Sequence, residues 1–207
     1  MNNPTKKLKI GVDYDGVVVD SESWFAYEFE KFMFENGVEI ATPKNRSVHK
    51  NYDFANIPAG SKVHELMKNE NFAKEVDRIG AISPFMPGVF ETLQTLRDRG
   101  HELVLITARG ALCMDIEVNA TKKQLAKVGF TFDQEFYGAS DKAKLCIEQG
   151  IDIMIDDCNN NCRRLGAAGV KTLYYRDRNV EKLDIPNVTE VDNWFHIYKE
   201  ILKAEQE

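Results

Sequence analysis

Two aspartates one residue apart, Asp13 and Asp15, are followed at once by Gly16. Paired carboxylates repel each other unless something positive lies between them, and a hard cation such as Mg2+ meets that need with oxygen ligands alone. A solvated turn after a buried strand carries the same short Asp-x-Asp-Gly pattern. An EF-hand loop is a poorer match, because its fifth and twelfth positions would be Val17 and Trp24, neither of them a ligand. Two more polar clusters lie downstream, Thr107-Ala108-Arg109 and Asp156-Asp157, with Lys142 and Lys144 before the second. Singly each has a plain reading: Thr107 caps a helix, Arg109 makes a surface ion pair, and Asp156-Asp157 is a solvated turn. If one sheet edge gathers all three, it holds carboxylates for a cation, a hydroxyl and nearby cationic side chains. That combination suits phosphoryl transfer, where a metal ion and a cation offset the charge of the phosphate oxygens.

The elements that would position them are legible from their texture. Ile10-Gly11-Val12 is an apolar run that stops at Asp13, residues 102–106 stop at Thr107, and residues 151–155 stop at Asp156. Such runs suit strands buried on both faces of a parallel sheet, where ligands bind beyond the carboxyl ends. Helices are expected over residues 88–99, 115–128, 141–149, 160–168 and 192–203, with a further strand over 170–175 and a weak one over 132–137. This alternation predicts right-handed crossovers and an α/β, doubly wound, mainly parallel Rossmann-like sheet.

Between the first two strands the alternation breaks. Residues 21–36 are helical, closed by Gly37; residues 38–60 are turn-rich; residues 61–79 read as one more helix. A stretch of about 60 residues without a buried strand is too long for a connection, and a small helical cap domain is expected there. The division is residues 1–20 and 82–207 as core, and 21–81 as cap. Trp24, Phe25, Tyr52 and Phe54 fall in the cap, where they could stack on a base or simply pack.

The chain has 207 residues, 43% of them hydrophobic, enough for a substantial core, and a net charge of -6 that argues against binding a nucleic-acid polymer. No apolar run is long enough to span a bilayer, and the first nine residues are polar, so no membrane partner is expected and a cytoplasmic location is the default. Cys113, Cys146, Cys158 and Cys162 read as free thiols.

The order Asp13-x-Asp15-Gly16, Thr107 after a strand, a lysine, then Asp156-Asp157 resembles the haloacid dehalogenase superfamily of phosphohydrolases, with a helical cap inserted between the first two motifs. Val-Asp-Tyr-Asp-Gly-Val-Val-Val-Asp, Ile-Thr-Ala-Arg and Ile-Asp-Asp are similar to its 5'(3')-deoxyribonucleotidase-like branch. The resemblance implies an Mg2+-dependent phosphomonoesterase acting on a small phosphate ester, a nucleotide above all. It implies Asp13 as nucleophile and Asp15 as acid and base. It implies Asp13, Asp15, Asp156 and Asp157 around the metal, and Thr107, Ala108, Arg109 and Lys142 at the phosphate. Arg109 could instead pair with an acidic neighbour. Lys142 is preferred to Lys144 because residues two apart on a helix lie about 200° apart around its axis, and Lys142 is nearer the helix start. Other readings are a sugar-phosphate or metabolite phosphatase or phosphotransferase, and a binding module without turnover. The oligomeric state is left open.

Overall fold

A computed structural model describes residues 6–39, 60–111, 114–175 and 182–207. Its centre is a six-stranded sheet in the order β3-β2-β1-β4-β5-β6. The strands are β1 (Lys9–Val12), β2 (Glu102–Ile106), β3 (Gln134–Phe136), β4 (Ile153–Asp156), β5 (Lys171–Tyr175) and β6 (Val188–Val191). Every pairing is parallel, with Val12 opposite both Leu105 and Ile155. The connections leave β1 toward β2 on one side and reach β4 on the other, so the order reverses beside β1. In a doubly wound sheet that crevice is where ligands bind.

Alternation along β2 shows why both faces are covered. Leu103 and Leu105 join one buried cluster, and Val104 and Ile106 join the other. The first is closed by α4 (Val89–Asp98) through Leu93 and Leu96, and by α8 (Trp194–Ala204) through Trp194, Ile197 and Ile201. The second is closed by Cys146 on α6 (Lys142–Gln149) and Leu165 on α7 (Asn159–Ala167). Helix α5 (Met114–Lys127) links β2 to β3.

Three helices lie between β1 and α4: α1 (Ser21–Glu35), α2 (Lys62–Met67) and α3 (Glu70–Ile82). The single helix expected over 61–79 is two. Asn69 interrupts it, its side chain accepting from the Asn71 amide at 2.9 Å, an N-cap that starts a new helix rather than continuing the old one. Helix α3 also runs on to Ile82, where the Ser83 hydroxyl turns back to the Ile79 carbonyl at 2.9 Å. Helix α1 packs on α3, with the Phe32 and Phe72 rings 5.8 Å apart and Arg78 paired to the buried Glu28. Helix α3 is fastened in turn to α5: Gln124 donates to the Ser83 carbonyl at 2.8 Å and Lys127 to that of Ala81 at 3.2 Å.

Strand β6 has no counterpart in the sequence reading. Of its four residues only Val191 is buried, and it follows Asn187 in a left-handed conformation (φ 65°), so neither alternation nor apolarity marks it. Among the described residues, no helix is long and apolar enough to cross a membrane. Cys146, Cys158 and Cys162 are free thiols; Cys113, Tyr52, Phe54 and the side chains of Trp24 and Phe25 lie outside the description.

Candidate active site

Strand β1 ends at Val12, and its last outgoing pairing is the Asp13 amide to the Ile155 carbonyl at 2.9 Å. The chain then turns: the Val18 and Val19 amides return to the Tyr14 carbonyl, and the Gly16 amide donates to that of Val19. The Trp194 indole pins this loop from below, donating to the Val17 carbonyl at 2.9 Å. The turn requires glycine at its tip. Gly16 has φ +71°, and a Cβ there would lie 1.9 Å from Asp157 Oδ2. The first and last motifs are therefore in van der Waals contact through a missing side chain.

Across the crevice, Asp156 is the last residue of β4 and Asp157 follows it. Both are buried, as is Asp13, and one carboxylate oxygen from each of the three lies within 4.8 Å of the others. Lys142, the first residue of α6, reaches between them, 2.6 Å from Asp13 Oδ2 and 2.7 Å from Asp156 Oδ2. Asp141 caps that helix by accepting from the Lys144 amide, which fixes where the helix begins and hence which lysine turns inward. Lys144 points out, its side chain 71% exposed and near Glu148.

Burial pushes the Asp13 carboxyl well above its ordinary range; Asp156 and Asp157 push it further, and Lys142 opposes them. Burial would lower the Lys142 ammonium, but Asp13 and Asp156 outweigh it and hold the charge on. Three buried carboxylates within 4.8 Å of one another, two of them sharing the Lys142 ammonium, make an acidic, desolvated place. A hard divalent cation with oxygen ligands fits such a donor set, and Asp13, Asp156 and Asp157 could hold it.

Thr107 is buried at the end of β2, its hydroxyl accepting from the Arg109 amide at 3.1 Å. The loop is sewn to the one after β3 by Gly138 donating to the Arg109 carbonyl at 2.7 Å, and Ala139 to that of Thr107 at 2.9 Å. Ala108 is exposed. The Arg109 side chain is turned away from the aspartate cluster to Asp15: Nε donates to Oδ2 at 2.7 Å and Nη2 to Oδ1 at 2.6 Å. Burial raises the Asp15 carboxyl, but the guanidinium beside it and hydrogen bonds from Arg109 and Ser21 bring it below the usual range. Asp15 and Arg109 thus form one unit, and Asp13, Lys142, Asp156 and Asp157 another.

Asn161 belongs with the second unit and was not anticipated. Its amide nitrogen is 3.3 and 3.2 Å from the two carboxylate oxygens of Asp156, and the Cys158 amide donates to Asp156 Oδ1 at 2.8 Å. The sequence signal was there: an amide side chain in the first turn of a helix that starts two residues after Asp157. Cys162 Sγ touches the Asp156 carbonyl oxygen, and burial pushes its thiol well up, so it backs the cluster as a neutral group.

No family model matches the chain. A protein of Oceanobacillus iheyensis named "Putative nucleotidase" is 36% identical over 107 residues, 46% of this chain and 55% of that protein. A Bacillus cereus protein of the same name is 28% identical over 150 residues, 70% of this chain and 73% of that one. The match thus spans little more than half the length of the first relative. Among solved structures, a haloacid dehalogenase-like hydrolase from Streptococcus pneumoniae superposes with a TM-score of 0.68 at 16% identity, covering 94% of this chain and 98% of that one. A "predicted phosphoglycolate phosphatase" from Haemophilus somnus gives 0.64 at 19% identity, with 96% and 100% covered. A variant of CbbY from Rhodobacter sphaeroides, in complex with xylulose-(1,5)bisphosphate, gives 0.64 at 15% identity, with 91% and 95% covered. The chain has the fold of the haloacid dehalogenase superfamily hydrolases.

Proposed function

We propose that the protein is an Mg2+-dependent phosphomonoesterase that works through an aspartyl phosphate, and that its substrate is a nucleotide. The observation that carries this is the gathering of Asp13, Asp156 and Asp157 at the reversal point of the parallel sheet, with Lys142 between Asp13 and Asp156 and Thr107 on the neighbouring strand end. A carboxylate nucleophile divides one difficult displacement into two. Asp13 attacks phosphorus, the bond to the ester oxygen breaks, and Asp15, which is ionised in the free protein and takes up a proton as the substrate binds, gives that proton to the ester oxygen. Water then attacks the same phosphorus, Asp15 takes a proton from it, and the Asp13–phosphorus bond breaks to release phosphate. Lys142 orients Asp13 and neutralises phosphate oxygens. The Thr107 hydroxyl and the backbone at Ala108 hold the phosphate. Mg2+, held by Asp13, Asp156, Asp157 and the Asp15 carbonyl, would supply charge neutralisation.

The nucleotide rests on the names of the two curated relatives. The competing substrate class is a sugar phosphate, favoured by the ligand bound to the CbbY variant. Residues 21–81, with α1, α2 and most of α3, would be the cap that selects between them. The test is a set of phosphate esters assayed with Mg2+ and with EDTA. Nucleoside monophosphates should be turned over faster than sugar phosphates, and EDTA should stop both. Turnover that persists without metal would contradict the mechanism, and a preference for sugar phosphates would contradict the substrate alone.

A further inference from the structure

Among the described residues, Arg109 is a cation beside the site that the mechanism above leaves without work. Its three guanidinium nitrogens already donate to protein oxygens: Nε and Nη2 to the two oxygens of Asp15, and Nη1 to the Thr121 hydroxyl on α5 at 2.9 Å. Its carbon lies 4.5 Å from the centre of the Tyr14 ring. Tyr14 is itself fixed, its hydroxyl donating to Gln124 Oε1 at 3.0 Å, and Gln124 holds the Ser83 carbonyl where the chain returns from the helical insertion. The Arg109 side chain is 9% exposed and that of Asp15 39% exposed. Solvent, and anything arriving from it, meets Asp15 first.

From this geometry we infer that Arg109 is a positioning residue for Asp15, not a phosphate ligand. The inference rests on the phosphatase reading above. A planar two-point clasp sets both the direction and the plane of the carboxylate, which a lysine or a single hydrogen bond cannot do. One lone pair on each Asp15 oxygen is spent on the clasp, and the other stays available for the ester oxygen or for water. The clasp also meets the charge that Asp15 acquires when its proton passes to the leaving oxygen. It is anchored to α5 through Thr121 and to the loop after β3 through the Arg109 carbonyl. The acid and base is thereby held by elements separate from those that hold the nucleophile.

A proton donor matters most when the leaving group is poor. An alkoxide leaving from a nucleoside 5'-monophosphate needs a proton; a nitrophenolate leaving from p-nitrophenyl phosphate does not. In Arg109→Gln, kcat/KM, which reports only the steps up to departure of the leaving group, should fall about 100-fold for the nucleoside monophosphate, within the usual range for general acid–base catalysis, and less than about 5-fold for p-nitrophenyl phosphate. Inhibition by inorganic phosphate should be unchanged. Arg109→Lys retains charge and most of the bulk, and serves if the glutamine variant is unfolded; it should show the same split at about 10-fold, since a lysine cannot form the fork. A parallel loss on both esters with weaker phosphate inhibition would make Arg109 a phosphate ligand. A parallel loss with unchanged inhibition and a lower Tm would make it structural only. Either overturns the assignment. Wild-type protein that hydrolyses neither ester would instead overturn the phosphatase reading, and the assignment with it.

Discussion

At the carboxyl edge of the sheet, Asp13, Asp156 and Asp157 crowd together with Lys142 between the first two; at the amino edge, one carboxylate is met by two partners. There Glu205, at the end of α8, has a side chain only 2% exposed, accepts Arg99 through both its oxygens and takes a further hydrogen bond from His101 Nε2 at 2.8 Å. The Leu8 amide donates to His101 Nδ1 at 3.1 Å, which places the ring proton on Nε2, facing Glu205. Hydrogen bonds from Arg99 outweigh burial, with His101 adding to them, and hold the Glu205 carboxyl below its ordinary range. The opposite displacement of Asp13 has the opposite cause: burial with two like charges beside it and one cation to share. A fold of this size can satisfy a buried carboxylate when it uses it as a clasp. Where it buries three within reach of one another, the arrangement is kept for something that arrives.

The largest effect that would test this contrast is Asp13→Asn. It should reduce kcat by about a thousandfold or more, because the nucleophile is gone. In EDTA it should raise Tm by about 2 °C, since one of three crowded like charges has been removed. Phosphate release and a thermal melt on the same sample check both. A loss of activity accompanied by a lower Tm would mean that Asp13 supports the fold as Glu205 does.

Lys142→Ala strips the carboxyl edge of its shared cation. We expect kcat/KM to fall by about 100-fold and stability to fall as well, because Asp13 and Asp156 then lose the ammonium they share. Lys144→Ala, two residues on and facing solvent, should leave both within a factor of about two. Comparable losses from the two variants would show that the helix start does not choose between the lysines.

Glu205→Gln should destabilise the chain by about 2 kcal/mol, the worth of hydrogen bonds to a charged group, and leave kcat unchanged. Because the folded-state carboxyl is depressed, its contribution is fully present above about pH 4.3, where the unfolded chain is ionised, and is lost as pH falls through the folded value. Denaturant melts between neutral and acid pH should therefore converge for the wild type and the variant at the acid end. A difference that stays constant with pH would mean that the glutamine acts through packing.

The contrast also explains what the sequence could and could not disclose. Apolar runs that stop abruptly placed β1, β2 and β4, because a strand buried on both faces has a one-dimensional signature. The lysine nearest the site followed from helix geometry, a local matter. Asn161 lay within reach of the same local reasoning, one helical turn beyond Asp156. Arg109 with Asp15 did not: the two are 94 residues apart in the chain, and an arginine beside a motif reads equally as a substrate ligand or as an ion pair. The amino-edge clasp was equally silent, since Arg99, His101 and Glu205 come from a turn and from the far end of the last helix. The break at Asn69 and the edge strand β6 were missed because a single capping side chain and a short polar strand leave almost no periodicity to read.

The central claim, that the carboxyl edge carries negative charge in order to receive a divalent cation, is tested most directly by calorimetric titration of Mg2+ into the wild type and Asp156→Asn. Asp156 is fully buried and held by Asn161, Lys142 and the Cys158 amide, so its substitution changes charge while its neighbours keep their places. The account predicts one Mg2+ per chain for the wild type and no measurable binding for the variant. A wild type that takes up no Mg2+, or a variant that binds it equally well, would contradict the claim.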